Sequence, residues 1–376
     1  MSAIRLLDAV GAERWTLGAL GDLGIIGAAR TRLRRDGAEA VLAPLGEALA
    51  GADLGFANLE FPVGEESWVR PGRSSEFRHD AELIPALRRI GVGVLSLANN
   101  HVMDCGERGL TGTLEACAAV GIRTVGAGLT LEQASAPVRL EIAGERVAMV
   151  GWSITVEDAA GPRRAGVSPL TAERVREDLA RAREGADRVI VTVHWGAMYM
   201  DDPPPRVFEM AERIEQGGAD VILGHHPHVL QGWRRAGRTL TLFSLGDAAF
   251  NPRAGDFEAS VAAATRRESA AFVIGIADAP GLACVPLVLD PDGLPAPAGA
   301  SAAAQVERLR GLADGLAEGA DRFARNSAPR LLRYEIESLG EHLRRGRIDR
   351  ALRLLGSVRP RHLGVLWHAL TRANGR

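Results

Sequence analysis

The chain has 376 residues, 46 % apolar and 24 % charged, with a net charge of −2. These values fit a globular protein of two to three units, or one large α/β domain with an appendage. They exclude wholesale disorder, a collagen-like fibre and a disulfide-stapled miniprotein. The near-neutral balance supplies no basic field for nucleic acid or a membrane surface.

The first 290 residues alternate between short apolar runs and helical patterns. Strands are expected at Trp15–Leu20, Gly93–Leu97, Arg146–Trp152, Arg188–Val193, Val221–Leu223 and Leu240–Leu245. Helices are expected at Glu82–Ile90, Arg108–Val120, Ala172–Arg183 and Arg206–Gln216, with Gly91, Gly121, Gly185 and Gly217 where C-caps fall. Val229–Trp233 with Thr239–Leu245, and Phe272–Ala277 with Leu282–Leu289, read as hairpins. Such alternation argues for a layered α/β architecture. The Pro/Gly/Ala stretch 291–303 reads as a linker, and 304–376 as a helical appendage with helices at Val306–Phe323, Arg330–Arg344 and Ile348–Leu355. A packing lid, a homodimer face and a partner-protein surface are all open for that appendage.

Cys105, Cys117 and Cys284 are too few and too scattered for a disulfide framework or a CxxC zinc site. All 45 basic residues are arginine, so a P-loop lysine and a Schiff-base lysine are excluded. Arg5, Asp8, Glu13 and Arg14 interrupt the N-terminal stretch, and no uncharged run near 20 residues follows. The expectation is a cytoplasmic protein with no membrane anchor.

Candidate chemistry sits at strand ends, where open α/β sheets place their sites. Asp22 follows Trp15–Leu20, and Asn58-Leu59-Glu60 follows the apolar patch Leu54–Ala57. Ala98-Asn99-Asn100-His101, with Asp104 and Gly106, follows Gly93–Leu97. His194-Trp195-Gly196 follows Arg188–Val193. Taken singly, Asp22, Glu60 and His194 read more readily as turn, loop and structural residues. The strongest single signal is Gly224-His225-His226-Pro227-His228, because three histidines in four residues can present imidazoles to adjacent metals. Ser244-Leu245-Gly246-Asp247 closes the series, with Asp247 either a support for the site or a turn residue. Carboxylate, amide and imidazole ligands in this order suit a two-cation hydrolytic centre.

This ordered set resembles the CapA/PgsA family, named for poly-γ-glutamate capsule synthesis and similar to calcineurin-like metallophosphoesterases. The resemblance covers residues 15–280, including Gly217–Val221 before the histidine cluster. It implies a four-layer α/β/β/α sandwich with a C-terminal helical appendage. Carried over, Asp22 and His228 would hold one metal, Asn100, His194 and His226 the other, and Glu60 would bridge. His101 would be the general acid and Asp104 its orienting partner. Asn58, Asn99, His225 and Asp247 would surround these groups or meet substrate. Two divalent ions are implied, Mn, Fe or Zn. Three departures stand out. Gly24 replaces the histidine of the wider superfamily's Asp-x-His, Asp247 stands where the family often has asparagine, and no anchor is expected although capsule-type members usually carry one.

The implied activity is hydrolysis or formation of a γ-glutamyl or peptide amide, or of a phosphoester, through a metal-bound hydroxide. The alternative is a non-catalytic metal-binding partner subunit of a polyglutamate or peptide synthetase. The expected partner is a small molecule or peptide carrying carboxylate or phosphate, and not nucleic acid. Arg70, Arg73 and Arg78 are candidates for gripping such an anion, although ordinary surface charge carries more weight for them.

Overall fold

The computed structural model describes residues 1–251 and 267–331. Two mixed sheets form the centre of the molecule. The first runs, edge to edge, Ile4–Leu7, Gly281–Leu289, Glu268–Ile276, Trp15–Gly24, Leu54–Leu59, Val92–Ser96 and Arg123–Val125, and Asp247–Phe250 pairs with the end of Trp15–Gly24. The second runs Trp233–Ala236, Thr239–Leu242, Val221–His225, Arg188–His194, Glu145–Ser153 and Val138–Ile142. The strands that carry the site are parallel: Trp15–Gly24 with Leu54–Leu59 and Val92–Ser96, and Arg188–His194 with Val221–His225.

Side-chain alternation at a period of two divides these sheets between three cores. Leu17, Ala19, Phe56 and Val94 of the first sheet meet Val147, Met149, Ile190 and Leu223 of the second. Leu20, Leu23, Ala57 and Leu59 face the other way, onto Leu33, Leu42, Leu45, Ile84, Leu87 and Leu110 from helices. Val189, Val191 and Val193 likewise turn outward, onto Val175, Leu179, Val207 and Ile214. The result is helix, sheet, sheet, helix, the sandwich expected from the sequence. Near-continuous apolar runs such as Val189-Ile190-Val191 result from strands buried on both faces.

The expected helices before residue 290 and most strands form within a residue or two of their anticipated limits, but Trp15–Leu20 extends to Gly24, Phe272–Ala277 starts at Glu268, and the hairpin expected from Val229–Trp233 uses Trp233–Ala236 against Thr239–Leu242 instead. Gly91, Gly121 and Gly185 take positive φ at helix ends, but after Pro205–Gln216 it is Gly218 (φ +89°), not Gly217 (φ −69°), that does so. Two helices, Gly27–Asp36 and Ala38–Leu49, were not expected. The first is rich in arginine, and the second contains Pro44 and Gly46, which disguise its apolar face of Val41, Leu42, Leu45 and Leu49. Leu240–Leu245 is not one strand: pairing in the second sheet stops at Leu242, and the chain crosses over to enter the first sheet at Asp247.

The stretch 291–303 contains Pro295–Pro297, which pairs with Gly281–Leu289, and the start of helix Ala302–Asp314. That helix buries Val306, Leu309 and Leu312 in the inter-sheet core. The single helix expected over Val306–Phe323 breaks into Ala302–Asp314, a 3₁₀ turn Gly315–Glu318, a short helix Gly319–Arg322 and a wide turn Phe323–Ser327, with Gly319 at φ +52°. The expected helix Ile348–Leu355, and Arg330–Arg344 beyond 331, lie outside the described residues.

His79 illustrates a histidine that the fold uses for packing. Its Nε2 donates to Leu23 O (3.2 Å), and its ring lies 5.7 Å from that of Phe61. Burial pushes its imidazole down to about 3. Between the ordinary histidine value and about 3, the unfolded chain takes up a proton that the folded chain refuses, so acid removes stability across that window. Replacing His79 by Gln, whose amide can still donate to Leu23 but takes no proton, is expected to flatten this dependence in pH-resolved urea denaturation.

Candidate metal centre

Strand register gathers the site. Asp22 lies beside Asn58 and Asp247, and Asn58 beside Ser96, at the carboxyl ends of the first sheet. His194 is the last residue of its strand and pairs with His225. Gly21 and Gly224 allow this crowding, since a Cβ on either would strike the backbone oxygen of Gly246 or Phe243.

Asp22 is fully buried. Its Oδ1 accepts from His225 Nδ1 (2.8 Å) and Asn58 Nδ2 (2.9 Å), and its Oδ2 accepts from the His226 backbone N–H (3.1 Å). Burial works to raise this carboxyl, but the hydrogen bond and charge of His225 hold it below the usual range. Asn58 also donates to Glu60 Oε2 (2.8 Å). The other oxygen, Glu60 Oε1, is buried with no hydrogen-bond partner among the described residues and faces His194 Nε2 at 3.7 Å. Burial, then the charge of Asp22, drives the Glu60 carboxyl well above its ordinary range.

His194 Nε2 lies 2.7 Å from Asn100 Oδ1, and the rings of His194 and His226 are 4.7 Å apart. Burial and neighbouring imidazoles push His194 well below the ordinary value and His226 to about 3, so both are neutral and able to act as ligands. Burial also pulls on His228, but the charge and hydrogen bond of Asp247, helped by Glu60 and Asp22, raise it to about 10. The Nδ1 of His228 lies 2.8 Å from Asp247 Oδ1 and 3.6 Å from Asp22 Oδ2.

Two groups thus offer converging ligand atoms within 4.8 Å: Asp22, His228 and Asp247, and Asp22, Glu60 and His194. Asn100 and His226 adjoin the second. Three buried carboxylates, an orphaned carboxylate oxygen and neutral imidazoles form a donor set suited to divalent cations of borderline softness. Asp247, expected to support the site, meet substrate or serve as a turn residue, brings a carboxylate oxygen within 4.8 Å of ligand atoms of Asp22 and His228. The reason is the strand crossing that pairs it with Asp22. Gly24 also has a physical account, because a Cβ there would collide with the ring of Phe250, which fills the place a histidine would need.

His226 (φ +96°), His228 (φ +55°) and Tyr199 (φ +61°) take left-handed backbone conformations without being glycine. Each costs about 1–3 kcal/mol and persists only where its surroundings over-determine it. Tyr199 N donates to Pro227 O (2.7 Å), tying the two strained loops together.

His101 stands at the rim, its side chain 16 % exposed. Asn99 builds its turn: Asn99 Oδ1 accepts from the N–H groups of His101 (3.0 Å) and Val102 (2.9 Å), while Nδ2 donates to Leu59 O (2.8 Å). His101 Nδ1 donates to Asp104 Oδ2 (2.7 Å), and the other Asp104 oxygen lies 3.0 Å from Arg73 Nε. The rings of Phe61 and Phe77 meet His101 edge-on at 4.9 and 4.8 Å. Sequence reasoning missed these rings, and it missed Phe250, 4.5 Å from His228, although Phe61 directly follows Glu60.

The three candidate anion-gripping arginines are committed elsewhere. Arg70 pairs with Asp158 (2.7 Å) and donates to Met103 O, Arg73 pairs with Asp104 and Asp158 (3.2 Å), and Arg78 donates to Gly64 O and pairs with Asp80.

A family model described as bacterial capsule synthesis protein PGA_cap matches residues 16–252. The capsule biosynthesis protein CapA of Bacillus anthracis is 28 % identical over 248 residues, spanning 64 % of this chain and 60 % of that protein. The PGA biosynthesis protein CapA of Bacillus subtilis is 30 % identical over 219 residues, 57 % of this chain and 58 % of that protein. A probable polyglutamine synthesis accessory protein of Mycobacterium tuberculosis is 30 % identical over 226 residues, 54 % and 58 % respectively. The chain therefore matches these curated relatives over about three fifths of their length.

Proposed function

The chain belongs to the bacterial capsule synthesis protein family PGA_cap, and we propose that it is a metal-dependent enzyme that cleaves or transfers γ-glutamyl amide bonds. The observation that carries this reading is the His101–Asp104 pair set beside a buried carboxylate–imidazole cluster with ligand atoms to spare.

Asp22, His228 and Asp247 would hold one divalent cation, and Asn100, His194 and His226 the other, with Glu60 between them. Such cations supply Lewis acidity and a water of lowered pKa. The remaining work falls to the chain. Asp104 occupies His101 Nδ1 and so leaves Nε2 to give a proton to the departing amine. Arg73 holds Asp104 from its far side, which fixes the imidazole's orientation. Phe61 and Phe77 wall the imidazole and keep water from the proton's path. The names of the relatives, in capsule, PGA and polyglutamine synthesis, point to a polymer of glutamate or glutamine. The internal pairing of Arg70, Arg73 and Arg78 leaves neither a phosphate nor a carboxylate a guanidinium fork from them. Among the described residues no helix is long and apolar enough to cross a membrane.

The test is turnover by manganese-loaded protein on a γ-glutamyl oligomer and on an aryl phosphate ester. Release of glutamate or shortened oligomer is the expected result. Turnover of the phosphate ester alone would replace the amide reading with a phosphoesterase. Bound metal with neither activity would favour a non-catalytic partner subunit, the reading that Gly24 supports by removing a ligand position.

A further inference from the structure

The family match ends at residue 252, yet the segment beyond it reaches the site along two separate paths. On the first path, Arg322 Nε pairs with Asp202 Oδ1 (2.7 Å) and Ser327 Oγ donates to Asp202 Oδ2 (2.8 Å), at a carboxylate only 4 % exposed. Beside it, Arg308 pairs with Asp201 (2.7 Å), and Arg330 Nη2 donates to Tyr199 O (3.4 Å). This loop carries the strained Tyr199, whose ring lies 6.1 Å from that of His228 and whose N–H holds Pro227 O. On the second path, Gln305 Nε2 donates to Ser269 O, and Ser269 Oγ donates to Asp247 O (2.6 Å). Asp247 in turn holds His228 Nδ1. The two paths converge on one imidazole.

The packing shows that the segment is seated closely. A Cβ on Gly232 would meet the Ala313 backbone at 2.7 Å, and a Cβ on Gly315 would fall on the Arg322 guanidinium. Positive φ at Tyr199, His226 and His228 needs surroundings that leave the loops no alternative. On the outer side of the 199–202 loop those surroundings are residues 308–330.

We propose that residues 302–331 are a brace that holds His228 and its loop in ligating geometry, with Asp202 and Ser269 as positioning residues. The brace rests on the reading above in one respect, that His228 and Asp247 receive a cation. It makes the helical stretch part of the site, where the sequence left a lid, a dimer face or a partner surface open.

The experiment uses the full chain with Arg322→Gln, Ser327→Ala and Ser269→Ala, and with Arg322→Lys as the conservative variant. Mn²⁺ uptake is measured by calorimetry, and backbone amide exchange by mass spectrometry over 196–202 and 226–231. In Arg322→Gln and Ser269→Ala the weaker of the two Mn²⁺ affinities is expected to fall about tenfold, with the tighter one kept. Exchange in both loops is expected to rise about tenfold or more. Arg322→Lys should recover part of each effect, and Arg325→Ala, on an exposed pair with Glu318, should show neither. Ser327→Ala removes one hydroxyl and decides the matter should Arg322→Gln fail to fold. Unchanged Mn²⁺ uptake and unchanged exchange, even with a lowered unfolding temperature, would overturn the brace and leave the segment as packing. Wild-type protein that takes up no Mn²⁺ would overturn the metal-centre reading instead, and the exchange rates would still decide the brace.

Discussion

Replacing His226 and His228 together by alanine is expected to lower bound metal from about two ions per chain to less than one. Activity should fall by about 10²-fold or more, because losing even an outer partner of a metal ligand typically costs about 10–100-fold and here two candidate ligands are lost. The two histidines serve different halves of the centre: His226 packs against His194, and His228 lies between Asp247 and Asp22. Removing His228 also takes away the group whose charge and hydrogen bond offset the burial of Asp247. Burial and the remaining like charge then favour protonation of one carboxylate, which weakens it as a ligand. Elemental analysis of protein purified without chelator, beside circular dichroism to verify folding, reads the result. Full metal retention in the double variant would show that the histidine cluster is not the ligand set.

His101→Ala is expected to separate catalysis from binding. Its imidazole hydrogen-bonds Asp104 and not the ligand cluster, so metal content should stay at the wild-type level. Loss of a positioned general acid typically costs about 10²–10⁴-fold in rate. The deficit should fall on kcat and should shrink for substrates with leaving groups that need no proton. Asp104→Asn keeps the side chain's shape but weakens its hold on Nδ1, so it should show a smaller loss in the same direction. A His101→Ala protein with wild-type kcat would remove His101 from the mechanism.

The site was legible where one strand presents one signal. The runs before His194 and Gly224–His228 were expected as strands and form them, and the three histidines of that turn carry their signal locally, whereas His194 taken singly read as a structural residue. Asp247 was harder, because its place depends on a chain that leaves one sheet after Leu242 and joins the other beside Asp22. No local pattern records such a crossing. Phe250 was invisible for a related reason: its role is to fill space over Gly24, and space is a property of two strands together. The arginine candidates, for which ordinary surface charge carried more weight, are tied into internal ion pairs. Arg70 and Arg73 look free in sequence, but their shared partner, Asp158, lies more than eighty residues away. The helix Gly27–Asp36 was hidden because it buries only Ala29, Arg30 and Leu33, too little for an apolar period to show. Val306–Phe323 kept its period through Gly315 and Gly319, where the backbone breaks.

Asp22, Glu60 and Asn100 belong to one sheet and its loops, while His194, His226 and His228 belong to the other. The ions would therefore be shared across the seam of the sandwich, like rivets through two plates. Side chains in that seam set the gap the rivets must span. Phe56, whose ring lies 5.7 Å from that of His225, and Met149 and Ile190 deeper in, become tuning elements for the distance between facing ligands. A volume change at such a position would reach the reaction as a wider or narrower grip, without altering any polar group.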